Sequence, residues 1–175
     1  MSQEQEATLA ALQIALKMEE DGKVFYLKAS RASGNPLGSK LFQNLAAEED
    51  IHREVFKKIY GKIKSNKGWP DTAFVTDGGK HLKTVFAEAM EKMDKNFTPA
   101  KEQLEDVKTG IDMENKTLDY YRRQMQKASG AEKQFYEQLT MQESEHSRVL
   151  QDYYEFYNNP SSYYVIKERQ SVDGG

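Results

Sequence analysis

Two helix-forming runs, LAAEEDIHREVF at 45–56 and LTMQESEHSRVL at 139–150, each place a glutamate three positions before a histidine, in a chain with only three histidines. They superpose at a shift of 94, matching Leu45 with Leu139, Glu49 with Glu143, His52 with His146 and Val55 with Val149. A second pair, KMEEDGKVFY at 17–26 and DMENKTLDYY at 112–121, superposes at a shift of 95 and matches Glu19 with Glu114 and Tyr26 with Tyr121. One helical hairpin used twice accounts for both shifts. A duplicated hairpin closes into a four-helix bundle.

Apolar residues recur at three- and four-residue intervals, with proline and glycine mainly between the periodic segments, so the fold class is all-α. The first long helix runs from about residue 4 to 32 and stops at SGNP, where Asn35 can cap the second helix and Pro36 can take its first position. The second ends near 65. The third is expected to start at Thr98 and Pro99 and to run to about 128, and the fourth to open on Ser129 and Glu132 as an S-x-x-E capping box and to end near 157. SNKGWPDTAFVTDGGK must then cross from one hairpin to the other, with HLKTVFAEAMEKM as a short additional helix. Residues 1–158 are thus expected to form one bundle and 159–175 a C-terminal tail that packs on the bundle or on a second subunit.

Composition excludes several chemistries. The chain has no cysteine, which removes disulfides, thiolate zinc sites, cysteine-ligated iron centres and cysteine nucleophiles, so any metal must sit on oxygen and nitrogen. With 25 basic and 28 acidic residues the formal net charge is −3, and no basic patch marks a nucleic-acid surface. The acidic, polar start is unlike a secretory signal, and no stretch approaches the roughly 18 apolar residues of a membrane span, which points to a soluble cytoplasmic protein with no membrane partner.

The four repeated glutamates lie on apolar stripes. Glu19 has Leu12, Ala15, Leu16 and Tyr26 on its helix face; Glu49 has Phe42, Leu45, Ala46 and Phe56; Glu114 has Val107, Ile111, Leu118 and Tyr121; Glu143 has Tyr136, Leu139 and Leu150. Four carboxylates in one core repel one another and lose their hydration, so they need cations, and few lysines or arginines share those faces. Two divalent ions would balance four carboxylates and leave the histidines neutral as ligands. A Glu and a His three apart on a helix face the same way and can reach one ion, and carboxylates can bridge two. Glu19, Glu49 with His52, Glu114, and Glu143 with His146 follow the order of the carboxylate-bridged dinuclear bundles.

Over essentially its whole length the chain resembles the rubrerythrin and ferritin-like family. The resemblance is carried by E-x-x-G-x-x-F-Y at 19–26, E-x-x-H at 49–52, E-x-x-x-x-x-Y-Y at 114–121, E-x-x-H at 143–146, and an ending, YYEFYNNPSSYYVIKERQSVDGG, similar to tails of stand-alone members. It implies a ferritin-like bundle with two iron ions, manganese or zinc being other possible occupants, and a non-haem oxidoreductase that reduces hydrogen peroxide or oxidises ferrous iron with dioxygen or peroxide. Glu49 and Glu143 are candidates for bridging and Glu19 and Glu114 for terminal ligation, a choice the sequence leaves open. A homodimer is the family's expectation. Two departures stand out: without cysteine there is no rubredoxin-type iron site, so electrons are expected from an external donor protein, and Thr117 stands where rubrerythrins carry a further glutamate used in ligand exchange.

Other residues read less sharply. Tyr26 and Tyr121 could hydrogen-bond a ligating carboxylate across the core or simply pack there. Gly22 and Gly110, each costing about 1 kcal/mol inside a helix, make room for the site or permit close packing. Glu20, Glu48 and His81 are expected at the rim or surface. Alternative readings are an iron-storage protein built from many subunits, a manganese-containing catalase-like protein, and a metal-free structural bundle.

Overall fold

A computed structural model describes residues 2–70, 80–91, 100–160 and 162, and among them the chain forms five helices and no strand. These are α1 (Gln3–Ala32), α2 (Pro36–Lys64), α3 (Lys80–Glu91), α4 (Lys101–Lys127) and α5 (Gly130–Asn158). The expected start of the third long helix at Thr98 and Pro99, much of the crossover (71–79 and 92–99) and the tail from 163 lie outside the described residues.

Local chemistry sets the helix starts. The Ser2 side chain accepts from the Gln5 amide to begin α1, and Asn35 Oδ1 accepts from the Gly38 amide at 2.8 Å with Pro36 at the first position of α2. Asn35 is itself buried, and its Nδ2 donates to Tyr157 Oη at 2.9 Å and to Gln103 Oε1 at 3.2 Å, so this cap also ties the α1–α2 turn to α4 and α5. The capping box expected at Ser129 and Glu132 is not formed. Gly130 enters α5 at φ +55°, and the Ser129 side chain makes no capping hydrogen bond. Glu132 instead lines a groove with Glu4, Gln5 and Trp69, where burial and then the Glu4 charge raise its pKa.

The helices run antiparallel to their neighbours. Gln5 at the start of α1 donates to the Ile63 carbonyl near the end of α2, which makes α1–α2 an up-down hairpin. Helices α4 and α5 form the second hairpin across a turn at residues 128–129. Cross-hairpin pairs keep the same sense, because Tyr26 meets Glu114 while Glu19 meets Tyr121, and His52 meets Gln142 while Glu48 meets His146. The short α3 lies on α2 and α5 and buries Leu82, Val85, Phe86 and Met90.

Along every long helix the core is interrupted at the same level. One apolar cluster includes Tyr26, Phe42, Phe86, Val107 and Tyr153; the other includes Leu12, Phe56, Tyr121, Phe135 and Leu139. Glu19, Glu49, His52, Glu114, Glu143 and His146 fall between them, all buried. Each large apolar side chain in those clusters contributes about 1.5–3 kcal/mol by leaving water, and together they hold a polar layer that opposes folding on its own.

Candidate metal centre

The six polar groups converge because each hairpin brings one glutamate from its first helix and a Glu-x-x-His turn from its second. His52 Nδ1 lies 3.2 Å from Glu143 Oε1, 3.3 Å from Glu19 Oε2 and 3.7 Å from Glu49 Oε2. His146 Nδ1 lies 3.3 Å from Glu143 Oε2, 3.5 Å from Glu49 Oε1 and 3.6 Å from Glu114 Oε2. The imidazoles stack with centroids 5.7 Å apart and planes 14° from parallel. Each ring thus aims its Nδ1 at three carboxylates.

Two overlapping sets of four donors result: Glu19, Glu49, His52 and Glu143, and Glu49, Glu114, Glu143 and His146, with the donor atoms of each set within 4.8 Å of one another. Donors held about 2.0–2.2 Å from one ion lie at most about 4.4 Å apart, so small side-chain shifts bring each set onto a single ion. Glu49 and Glu143 belong to both sets. Glu19 Oε2, both Glu143 oxygens and His146 Nδ1 are buried and make no hydrogen bond among the described residues. Buried oxygens and nitrogens without such partners are costly unless a cation takes their place. The residues present therefore fit a pair of divalent ions.

Electrostatics say the same about the cluster with protons alone. Burial, then repulsion from Glu49, holds Glu19 and Glu114 well above the usual carboxylate range. Burial, and for Glu143 repulsion from Glu49, opposes ionisation of Glu49 and Glu143 too, but Glu19 beside Glu49 and the neighbouring histidines beside both outweigh it: Glu49 is held well below the usual range and Glu143 at about 2. Burial alone would discharge the histidines, yet the surrounding carboxylates, led by Glu19 for His52 and Glu114 for His146, keep both well above their ordinary value. Glu19 and Glu114 are thus biased toward the neutral acid and His52 and His146 toward imidazolium, and divalent ions would compete with those protons for the same oxygens and nitrogens.

Tyr26 and Tyr121 hydrogen-bond across the hairpins. Tyr26 Oη on α1 donates to Glu114 on α4, and Tyr121 Oη on α4 donates to Glu19 on α1. Burial, then the adjacent glutamate, pushes both phenols well up, which keeps them as donors. A Cβ at Gly22 would meet Glu49 Cδ at 3.4 Å, an ordinary contact, so Gly22 borders the site without a glycine being required there, whereas at Gly110 it would meet Leu150 Cδ1 and Tyr26 Cε1 at a tighter 3.3 Å, which fits a role in close packing.

The outward edges of the histidines hold two residues whose role the sequence reading missed. His52 Nε2 lies 2.6 Å from Gln142 Oε1 and His146 Nε2 lies 2.8 Å from Glu48 Oε2. Glu48 is at the rim, its side chain 28% exposed, but it is also the acceptor behind His146. A signal existed: Glu48 and Gln142 occupy equivalent positions in the repeat, each immediately before a cluster glutamate, and an imidazole directing Nδ1 inward needs an acceptor at Nε2. Glu20 pairs with Arg53 at the surface, and the exposed His81 meets Asn44 Oδ1 at 3.0 Å. Thr117 lies one turn beyond Glu114 and is half-buried.

No described helix is long and apolar enough to cross a membrane. No curated protein and no solved structure matches the chain. The model of the Rubrerythrin family matches residues 10–154, which take in the whole polar layer.

Proposed function

The chain belongs to the rubrerythrin family, and from that premise we propose that its polar layer holds two iron ions and works as a non-haem oxidoreductase that reduces hydrogen peroxide, or oxidises ferrous iron with dioxygen or peroxide. The observation that carries the reading is the pair of overlapping donor sets sharing Glu49 and Glu143. Glu19 and His52 would complete one position and Glu114 and His146 the other, with the shared glutamates bridging. Bound iron would supply the two electrons that, with two protons, convert one peroxide into two waters.

The chain's own residues set the conditions for that chemistry. Glu19, Glu49, Glu114 and Glu143 offset the charge of two divalent ions inside an otherwise apolar core. Tyr26 and Tyr121 orient the two terminal carboxylates and keep their own protons. Apolar clusters on both sides exclude bulk water from the layer. The 175 residues contain no cysteine, so a rubredoxin-type electron donor does not lie within them, and an external donor protein is part of the proposal.

Metal content per chain tests the reading, on protein purified without chelator and after anaerobic ferrous loading, followed by absorbance on adding peroxide. About two irons per chain and a new oxo-bridged ferric band are expected. Absence of stoichiometric metal under both conditions would overturn the proposal and leave a structural bundle.

A further inference from the structure

The two halves of the layer match in every inward-facing group and differ behind the histidines. Each hairpin gives one terminal glutamate, one shared glutamate, one histidine and one tyrosine donor. His146, however, is backed by a carboxylate, Glu48, and His52 by a neutral amide, Gln142. Resting on the metal-centre reading above, we propose that Glu48 and Gln142 are positioning residues that make the two ion positions unequal, so that the position formed by Glu114 and His146 fills first and that formed by Glu19 and His52 fills second.

The physical reason lies in what each acceptor does to its imidazole. An ion on Nδ1 leaves the proton on Nε2, and both Glu48 Oε2 and Gln142 Oε1 accept it, so both fix the tautomer and the ring orientation. A carboxylate does more. Its hydrogen bond is charge-assisted and draws the Nε2 proton more strongly, which raises electron density at Nδ1 and strengthens its bond to a cation. Glu48 also brings a further negative charge to one position only. Other ions around the layer pair toward the surface, Arg53 with Glu20, Asp50 and Glu54, and Glu145 with Lys83 and Arg148, where solvent weakens their effect relative to a carboxylate bonded directly to the imidazole.

Cobalt(II) titrated into the metal-free full-length chain, followed by calorimetry and visible absorbance, reads the two steps directly. The wild type is expected to take two ions in distinguishable steps. Glu48→Gln, nearly isosteric, should weaken the first step by about ten- to a hundredfold, the size typical of such outer partners, and leave the second nearly unchanged. Gln142→Glu should tighten the second step until the two merge. A crystal of the wild type with one equivalent of cobalt should show its anomalous peak between Glu114 and His146, a measurement that needs no variant to fold. Two ions bound in indistinguishable steps, equal weakening of both by Glu48→Gln, or a peak between Glu19 and His52 would overturn the inference while leaving the metal centre standing. Failure to bind cobalt in any amount would overturn both.

Discussion

The α1–α2 and α4–α5 hairpins share Glu19 with Glu114, Glu49 with Glu143, His52 with His146 and Tyr26 with Tyr121, yet they begin their second helices differently. The first hairpin turns through a buried, fully engaged Asn35; the second turns through Ser129, whose side chain caps nothing. What the two hold in common sits where four helices face one shared space. What differs includes the turns, the rim and some buried positions outside that layer, such as Phe42 against Tyr136 and Phe56 against Leu150. The two copies thus agree most closely in the polar layer itself.

The largest effect expected tests whether the hairpins contribute equally to the centre. Glu49 and Glu143 each belong to both donor sets, so Glu49→Ala and Glu143→Ala should each abolish two-metal binding while the far-ultraviolet spectrum stays helical. Metal analysis after ferrous loading checks this. Unchanged metal content in either variant would count against the shared-glutamate arrangement, and loss in only one would break the equivalence of the hairpins.

Next in size is the coupling of metal to stability. Folding raises the pKa of Glu19 and Glu114 above 4.5 and of His52 and His146 above 6.5. The metal-free fold therefore binds more protons than the unfolded chain, and the stability from this source is complete below those ordinary values and falls as pH rises through the folded ones. Glu49 and Glu143 act oppositely, but their contribution is lost only as pH falls below 4.5, toward about 2 for Glu143. Bound ions remove the protons, so the gain in Tm on adding metal should grow from about pH 5 to about pH 8. At a free-metal concentration about a hundred times Kd the added stability amounts to about 2.7 kcal/mol for each ion bound. A metal-induced shift that shrinks with rising pH would contradict the upward direction of these shifts.

Smaller again is the loss of one phenol. Tyr26→Phe and Tyr121→Phe each remove a donor to a buried terminal carboxyl group, and each should cost about 1.5–3 kcal/mol in the metal-loaded protein, the range for hydrogen bonds to charged groups. Chemical denaturation of the loaded variants measures it. Equal losses would show the crossed bonds to be equivalent, and no loss in either would reduce the tyrosines to packing.

Much of this arrangement was legible before any coordinate. Periodicity and the repeat define four long helices and the level at which Glu19, Glu49, Glu114 and Glu143 must sit, because a residue flanked by apolar positions three, four and seven away has no other direction to face. The pairing of Tyr26 with Glu114 rather than with Glu19 on its own helix was not legible, since it depends on how far one hairpin slides against the other. Glu48 escaped for a related reason: a rim position looks solvated along its own helix, and only the approach of α5 supplies His146. Ser129 misled because S-x-x-E satisfies the pattern of a capping box, while Gly130 at φ +55° decides the geometry.

That last difference yields the smallest and most local test. Asn35→Ala removes a cap to Gly38 and the bonds to Gln103 and Tyr157, so it should cost at least the roughly 1–2 kcal/mol of a lost N-cap. Ser129→Ala removes no capping bond and should stay within about 0.5 kcal/mol of the wild type. The two substitutions occupy equivalent turns and delete comparable polar groups, so residue type alone would predict similar losses. Thermal unfolding of the metal-free chains separates the cases without involving the polar layer. Equal destabilisation would mean that Ser129 caps α5 in solution and that the hairpins are more alike than their turns indicate; a tenfold or larger difference in the unfolding equilibrium would place the drift between the two copies in their turns.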